Sequence, residues 1–233
     1  MKYDAIVIGS GQGGNPLCHK LADHGWQVAL VERKHLGGTC INTGCTPTKT
    51  MVASAQVAHY ARHAARWGVR TNGVSGDLPA IIARNDQIVQ SFRGGQQRKV
   101  DTRKNLRLYR GHARFTGPRQ LQVGDEVLEG ERIFVNTGTR PEIPRVEGLD
   151  KVNYLTNASL VELRELPEHL LVVGGGYIGL EFGQMFHRFG SRVTVIHRGD
   201  QIFAREDADV AAELQKILEA EGLRFILNAN TTR

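Results

Sequence analysis

The chain has 233 residues, 40% apolar and 23% charged with a net charge of +6, a profile that fits a soluble globular protein of one large or two small domains. No apolar run approaches the roughly 20 residues of a membrane span. The start, Met1-Lys2-Tyr3-Asp4, enters an apolar strand without the features of a secretory signal, so the sequence predicts a cytoplasmic protein with no membrane association. Three cysteines exclude a disulfide-stapled scaffold, while 27 glycines exceed the average share of about 7% and make their placement informative.

The first strand is the apolar run from Tyr3 to Ile8, and it leads into Gly9-Ser10-Gly11-Gln12-Gly13-Gly14. A helix carrying Leu17 and Leu21 follows, then Gly25 at a C′ position, then a second strand from Val28 to Val31. Glu32 ends that strand. This is the G-x-G-x-x-G turn of a dinucleotide site. Gly9 and Gly11 let the backbone turn and approach a pyrophosphate, Gly14 lets helix and strand pack, and Glu32 is placed to accept from a ribose diol.

Next comes Gly37-Gly38-Thr39-Cys40-Ile41-Asn42-Thr43-Gly44-Cys45-Thr46-Pro47-Thr48-Lys49. On a regular helix, thiols five residues apart would be rotated by about 140° and separated by about 7.5 Å in rise. A bridge therefore needs irregular backbone, which Gly44 permits. Pro47 suits the first turn of a helix, and a thiol at its start, Cys45, is placed for acidification. Zinc would need further ligands and only His35 is near, so no metal site is assigned. Cys18 reads as an ordinary semi-buried residue.

Apolar residues at 81, 82, 88, 89 and 92 predict one core-facing helix stripe over residues 79–92. Nine Lys/Arg between Arg93 and Arg119, against Asp101 alone, could mark a nucleic-acid footprint, but no binding motif accompanies them. They are read as a solvated helix and loop face, with no nucleic-acid partner. Leu121 with Val123, then Ile133 to Val135, read as strands of a small meander, and residues 141–168 as a linker.

The opening pattern then repeats in the same register. Leu170 to Val173 precede Gly174-Gly175-Gly176-Tyr177-Ile178-Gly179, with a helix from Leu180 to Phe189, Gly190, and a strand from Val193 to Ile196. Eighteen residues past the third glycine stands Glu32 in one copy and His197 in the other. The fold class is thus α/β with two Rossmann-like dinucleotide domains. His197 and Arg198 replace the carboxylate, with Arg192 and Arg205 nearby, and cations there favour a 2′-phosphate, hence NADP(H) over NAD(H). A final strand is expected over residues 223–227.

The motif Gly-Gly-Thr-Cys-x4-Cys-x-Pro-x-Lys at 37–49, following the first glycine turn, resembles the class I flavoprotein disulfide reductases, which include dihydrolipoamide dehydrogenase, glutathione reductase and mercuric reductase. The resemblance covers essentially the whole chain. It takes in Gly38 and Thr39, the adenine-contact stretch Gly111-His112-Ala113, and residues 135–141, similar to the A-T-G-x-x-P crossover through Thr137 and Gly138 but with Asn136 for the usual alanine. Gly174 to Glu181 matches the nicotinamide-site signature.

The resemblance implies FAD on the first turn and NAD(P)H on the second, with electrons passing from flavin to a Cys40–Cys45 redox disulfide. It implies Cys45 against the flavin, Cys40 exchanging with substrate, Lys49 near the flavin and paired with Glu181, and Tyr177 over the nicotinamide pocket. It further implies a homodimer, an FAD domain at 1–145, and an NAD(P) domain at 146–233 inserted in it and truncated. The family's second FAD segment, its dimerisation domain and the histidine–glutamate pair from the partner are absent. None of His19, His24 or His59 fits that pair. On this reading the chain is a fragment with exposed sheet edges that aggregates or holds FAD weakly. The surroundings of Pro47 and Lys49 look closer to the mercuric reductase branch, which points to a disulfide or a metal ion such as Hg(II) as acceptor. The competing readings are a flavoprotein without disulfide chemistry, of ferredoxin reductase or NADH oxidase type, and an inactive binding module.

Overall fold

A computed structural model describes residues 1–232. The chain divides into two compact units, Met1–Pro47 with Asp86–Arg140, and Thr48–Asn85 with Pro141–Arg233.

The first unit is built on a six-stranded sheet. In chain order it contains β1 (Lys2–Ile8), α1 (Gly14–Asp23), β2 (Val28–Glu32) and the short α2 (Gly38–Asn42). Two longer helices, α3 (Cys45–Arg62) and α4 (Leu78–Asp101), each begin in one unit and end in the other. Then come β3 (Leu106–Arg110), β4 (Ala113–Gly117), β5 (Gln120–Val123) and β6 (Glu126–Val135). The strand order is β3-β2-β1-β6-β5-β4, parallel across β3-β2-β1-β6 and antiparallel through the β4–β5–β6 meander.

Alternation along β1 and β2 explains why both strands are buried. Ala5, Val7, Val28 and Leu30 face Cys18 and Ala22 of α1 and Val100 of α4. Ile6, Ala29 and Val31 face the opposite way, onto Tyr109, Leu121, Val123 and Leu128. A central parallel strand covered on both faces reads as a continuous apolar run, as here. Cys18 is completely buried rather than semi-buried.

The second unit carries β7 (His169–Val173), α6 (Tyr177–Phe189), β8 (Arg192–Ile196), α7 (Ala208–Glu221) and β9 (Arg224–Ile226), with a short helix, α5 (Asn157–Leu160), before them. Its sheet is parallel in the order β7-β8-β9. Phe182, Met185, Phe186 and Phe189 of α6 pack on Leu170, Val193 and Val195, joined by Met51 and Ala55 of α3, Leu78 and Ile82 of α4, and Leu218 of α7. Arg188 grips Glu221 through two hydrogen bonds of 2.9 and 2.8 Å, tying α6 to α7.

The two strand–turn–helix–strand repeats are present as expected, and the chain is an α/β protein. Three local expectations change. The helix expected at 79–92 runs to Asp101, because nothing in 93–101 breaks it except the weak propensity of Gly94 and Gly95, and Phe92 is exposed rather than core. The basic stretch is not only helix and loop: besides the end of α4 and the turns that hold Arg103, Lys104 and Arg119 it includes all of β3 and β4, with Arg107 and Arg110 on the exposed positions of β3. No membrane-spanning helix occurs among the described residues.

Close packing of helix on strand makes two glycines irreplaceable. A Cβ on Gly14 would lie 2.1 Å from the Gly9 carbonyl oxygen, and one on Gly179 would lie 2.6 Å from that of Gly174. Gly14→Ala and Gly179→Ala are each expected to cost about 2–4 kcal/mol in denaturant unfolding. Gly176→Ala, with no atom within 4 Å of its added Cβ, should fall within about 0.5 kcal/mol of wild type.

Candidate functional site

In the first unit, the sequence-predicted residues gather at the carboxyl ends of the parallel strands, where open α/β sheets bind ligands. Gly9, Gly11 and Gly14 form the turn after β1, and Glu32 ends β2. Gly111, preceding His112 and Ala113, donates its N–H to the Glu32 carbonyl at 3.0 Å. At the end of β6, Asn136 N–H donates to the Ile8 carbonyl at 2.8 Å, which sets Thr137 and Gly138 beside the turn.

Glu32 is held by the turn itself. Its Oε2 accepts from Ser10 N–H at 3.0 Å and from Ser10 Oγ at 2.7 Å, and its Oε1 accepts from Lys34 N–H at 2.8 Å. Burial works to raise the carboxyl pKa, but the hydrogen bonds from Lys34 and Ser10 outweigh it and leave the group below the ordinary value. Ser10, completely buried, also bonds the Gly37 N–H through Oγ at 3.1 Å. Sequence reading passed over Ser10 as a variable position of the motif, and its contacts are tertiary.

The cysteine segment is seated on the same turn. Gly37 and Gly38 both have positive φ, +98° and +60°, and a Cβ on Gly38 would lie 2.6 Å from Gly11 Cα. Thr39 and Cys40 follow in α2, and Thr43 and Gly44 form the expected irregular link to Cys45 at the start of α3. Both cysteines are thiols, Cys40 half-buried and Cys45 exposed. Burial pushes the Cys40 thiol up to about 11, with further upward contributions from its hydrogen bond to Cys45 and from the charge on Cys45. The N–H groups of Cys45 and Thr46 act in the opposite sense on Cys40. Cys45, which the sequence placed at a helix start, is the first residue of α3.

Asn136, the departure from the family's alanine, covers the turn. Its side chain lies 2.8 Å from where a Cβ on Gly13 or Gly14 would sit, and its Nδ2 approaches the Gly9 carbonyl at 3.5 Å.

In the second unit, Gly174, at φ +109°, and Gly176 both border open space, since an added Cβ on either meets nothing within 4 Å. That opening, at the N-terminus of α6, fits a pyrophosphate. His197 repeats the geometry of Glu32: its Nδ1 accepts the Gly175 N–H at 3.2 Å, so the neutral ring carries its proton on Nε2. Nε2 is buried against Gly199 without a partner. Arg198 is exposed just beyond. Arg192, by contrast, begins β8 and pairs with Glu168, at the opposite end of the strand from the turn.

Lys49 and Glu181 form an ion pair within this unit, with side chains 65% and 28% exposed. At that exposure the pair contributes little to stability, so its significance lies in position. Tyr177 opens α6 and is exposed. With Lys49, Glu181, Leu180 and Met185 it lines a groove of about 330 Å³. No group of metal-ligating side chains occurs among the described residues.

A family profile described as pyridine nucleotide-disulphide oxidoreductase matches residues 3–233. The chain is 37% identical to a mercuric reductase of Streptomyces lividans over 95% of its own length and 48% of that protein's. It is 37% identical to the probable pyridine nucleotide-disulfide oxidoreductase RclA of Escherichia coli, over 100% of this chain and 50% of that one. It is 33% identical to a dihydrolipoyl dehydrogenase of Bacillus subtilis, over 98% and 51%. The solved Cu(II) complex of the HOCl-induced flavoprotein disulfide reductase RclA superposes with a TM-score of 0.89 at 36% identity, covering 100% of this chain and 51% of that one. The chain therefore spans about half the length of these relatives.

Two outcomes follow from the geometry. Because the Glu32 pKa is depressed in the fold, its contribution to stability is present above the ordinary carboxylate range and is lost as pH falls through its folded pKa. Glu32→Gln should be the less stable protein at neutral pH and lose less unfolding free energy than wild type between about pH 5 and about pH 3. Iodoacetamide at neutral pH should label exposed Cys45 before Cys40, and Cys18 last, as read by mass spectrometry of timed samples.

Proposed function

The chain belongs to the pyridine nucleotide-disulphide oxidoreductase family, and we propose that it carries the electron-entry half of such an enzyme, with FAD on the first glycine turn, NADPH on the second, and Cys40 and Cys45 as the redox pair. The observation that carries this reading is the seating of the cysteine segment on the first turn through Gly38 and Gly11. A thiol pair built onto a dinucleotide turn has no role in a simple binding module.

When bound, FAD and NADPH supply two-electron transfer and the hydride. The chain's own residues do the rest. Gly9, Gly11, Gly14, Thr39, Thr137 and Gly138 leave room and N–H groups for the first dinucleotide, with Glu32 for its ribose and His112 and Ala113 for its adenine. Gly174, Gly176 and Gly179 do the same for the second. Lys49, one helical turn beyond Cys45 on α3, is a fixed cation for the flavin, and Glu181 holds it. Tyr177 covers the nicotinamide pocket. Two electrons and two protons convert the Cys40–Cys45 disulfide to two thiols. As a thiolate, Cys40 would attack one sulfur of a disulfide acceptor and expel the other as a thiolate; Cys45, the thiol on the flavin side, would then attack Cys40 of that mixed disulfide, release the second thiolate and restore the Cys40–Cys45 bond.

The FAD part is assigned to 1–145 and the NADPH part to 146–233, in a cytoplasmic homodimer of the longer protein. Among relatives, the mercuric reductase names and the Cu(II) complex of RclA support a metal ion as acceptor, with Hg(II) one candidate, beside a disulfide. Preference for NADPH rests on Arg198, since His197 is turned into the glycine turn. Arg198→Ala should weaken NADPH binding about tenfold and leave NADH unchanged.

The test is the visible spectrum of the purified chain with FAD, before and after anaerobic NADPH. A flavin spectrum that gains a long-wavelength band, with two thiols appearing per chain, supports the reading. Flavin reduction with no change in thiol count favours the flavoprotein without disulfide chemistry, and that reading also requires Cys40→Ser to keep full activity in the full-length protein.

A further inference from the structure

Helix α2 carries Cys40 but has five residues, too few to sustain itself. Besides its seat on the first turn and the burial of Ile41, it is held in place by Asn42. Asn42 Nδ2 donates to the Gly38 carbonyl at 2.7 Å and to the Leu36 carbonyl at 3.1 Å, so the amide closes the turn that contains Cys40. Its Oδ1 accepts from Arg93 Nε at 2.5 Å. A guanidinium has donors only, so this bond permits one orientation of the amide and directs Nδ2 at the two carbonyls. Arg93 differs here from its neighbours in the basic stretch. Arg103 pairs with Asp23 and Arg107 with Glu126 on the surface, whereas Arg93 reaches from α4 to the cysteine segment.

We propose that Arg93 is a positioning residue for the redox pair, acting through Asn42 to hold α2 where the Cys40 and Cys45 sulfurs meet. The inference rests on the reading that these two cysteines form a redox disulfide. A disulfide needs Cα atoms within about 7 Å and correctly aimed Cβ atoms, so the fraction of time α2 spends in that geometry multiplies directly into the equilibrium constant for closure. The reaction is balanced with glutathione: two protein thiols and one oxidised glutathione give one protein disulfide and two reduced glutathiones. A mixed disulfide forms first, and the second protein thiolate then displaces glutathione.

The experiment is a glutathione redox titration of the full chain, quenched with acid and alkylated, with the Cys40–Cys45 disulfide read by mass spectrometry. Alkylation of buried Cys18 serves as the monitor of folding. Arg93→Met should shift the equilibrium about tenfold toward the dithiol, equivalent to about 30 mV, with Cys18 still protected. Arg93→Lys should fall between Met and wild type. Asn42→Asp keeps an acceptor for Arg93 but deletes the donors to Gly38 and Leu36, and it should show the same shift as Arg93→Met. It decides the matter if Arg93→Met exposes Cys18. A wild type that closes the disulfide, with folded variants within twofold of it, overturns the role of Arg93 and leaves the redox pair standing. A wild type that forms no such disulfide at any glutathione ratio overturns the redox reading itself, and this inference with it.

Discussion

The constraint on which the rest depends is the approach of a helix to within one carbonyl of the strand before it. At both turns the third glycine sits where a methyl group would strike the first glycine's oxygen. Only this closeness brings the second residue of each turn within reach of the next strand's end. Ser10 can then donate to Glu32, and Gly175 to His197. The two bonds are equivalent in place and different in charge: a carboxylate accepts in one, an imidazole lone pair in the other. The acidic residue and its replacement share a structural task, and whatever each does for a ligand is added to it.

This division of labour changes how cations near the second turn are weighed. His197 spends its Nδ1 on the Gly175 N–H, and its other nitrogen is shielded from solvent. Arg192 belongs to the far end of β8, about 16 Å of strand away on a rise of about 3.3 Å per residue. Of the basic group read from the sequence, Arg198 is left as the exposed charge directly past the strand.

The repeat was legible because glycine and strand periodicity are local signals. Both turns, the strands that flank them, β5, the end of β6 and the need for irregular backbone between the cysteines could be read from spacing alone, whereas β3, β4 and the first part of β6 were not read. What could not be read is tertiary. Ser10 occupies a variable position of its motif, and only its partners make it special. Asn136 stood out as a departure, but its effect, that Gly13 as well as Gly14 must lack a side chain, requires the fold. Arg93 lay within a basic run whose average behaviour is solvation, and nothing in the sequence separates it from Arg98 or Arg103. The end of α4 was missed because the apolar stripe read from the sequence stops at Phe92, and here the packing of Val100 on the sheet accompanies its continuation to Asp101.

The threading of the chain through its two units also sets an order of assembly. All six strands of the first sheet have been made once β6 is synthesised, so they can pair while the remainder of the chain is still being made. Met51, Ala55, Leu78 and Ile82 cannot do the same, because the apolar surfaces they are buried against belong to α6, α7 and β8. Until those segments emerge from the ribosome, the apolar sides of α3 and of the start of α4 have nothing to pack against. That interval is one in which a chaperone has a defined hydrophobic target.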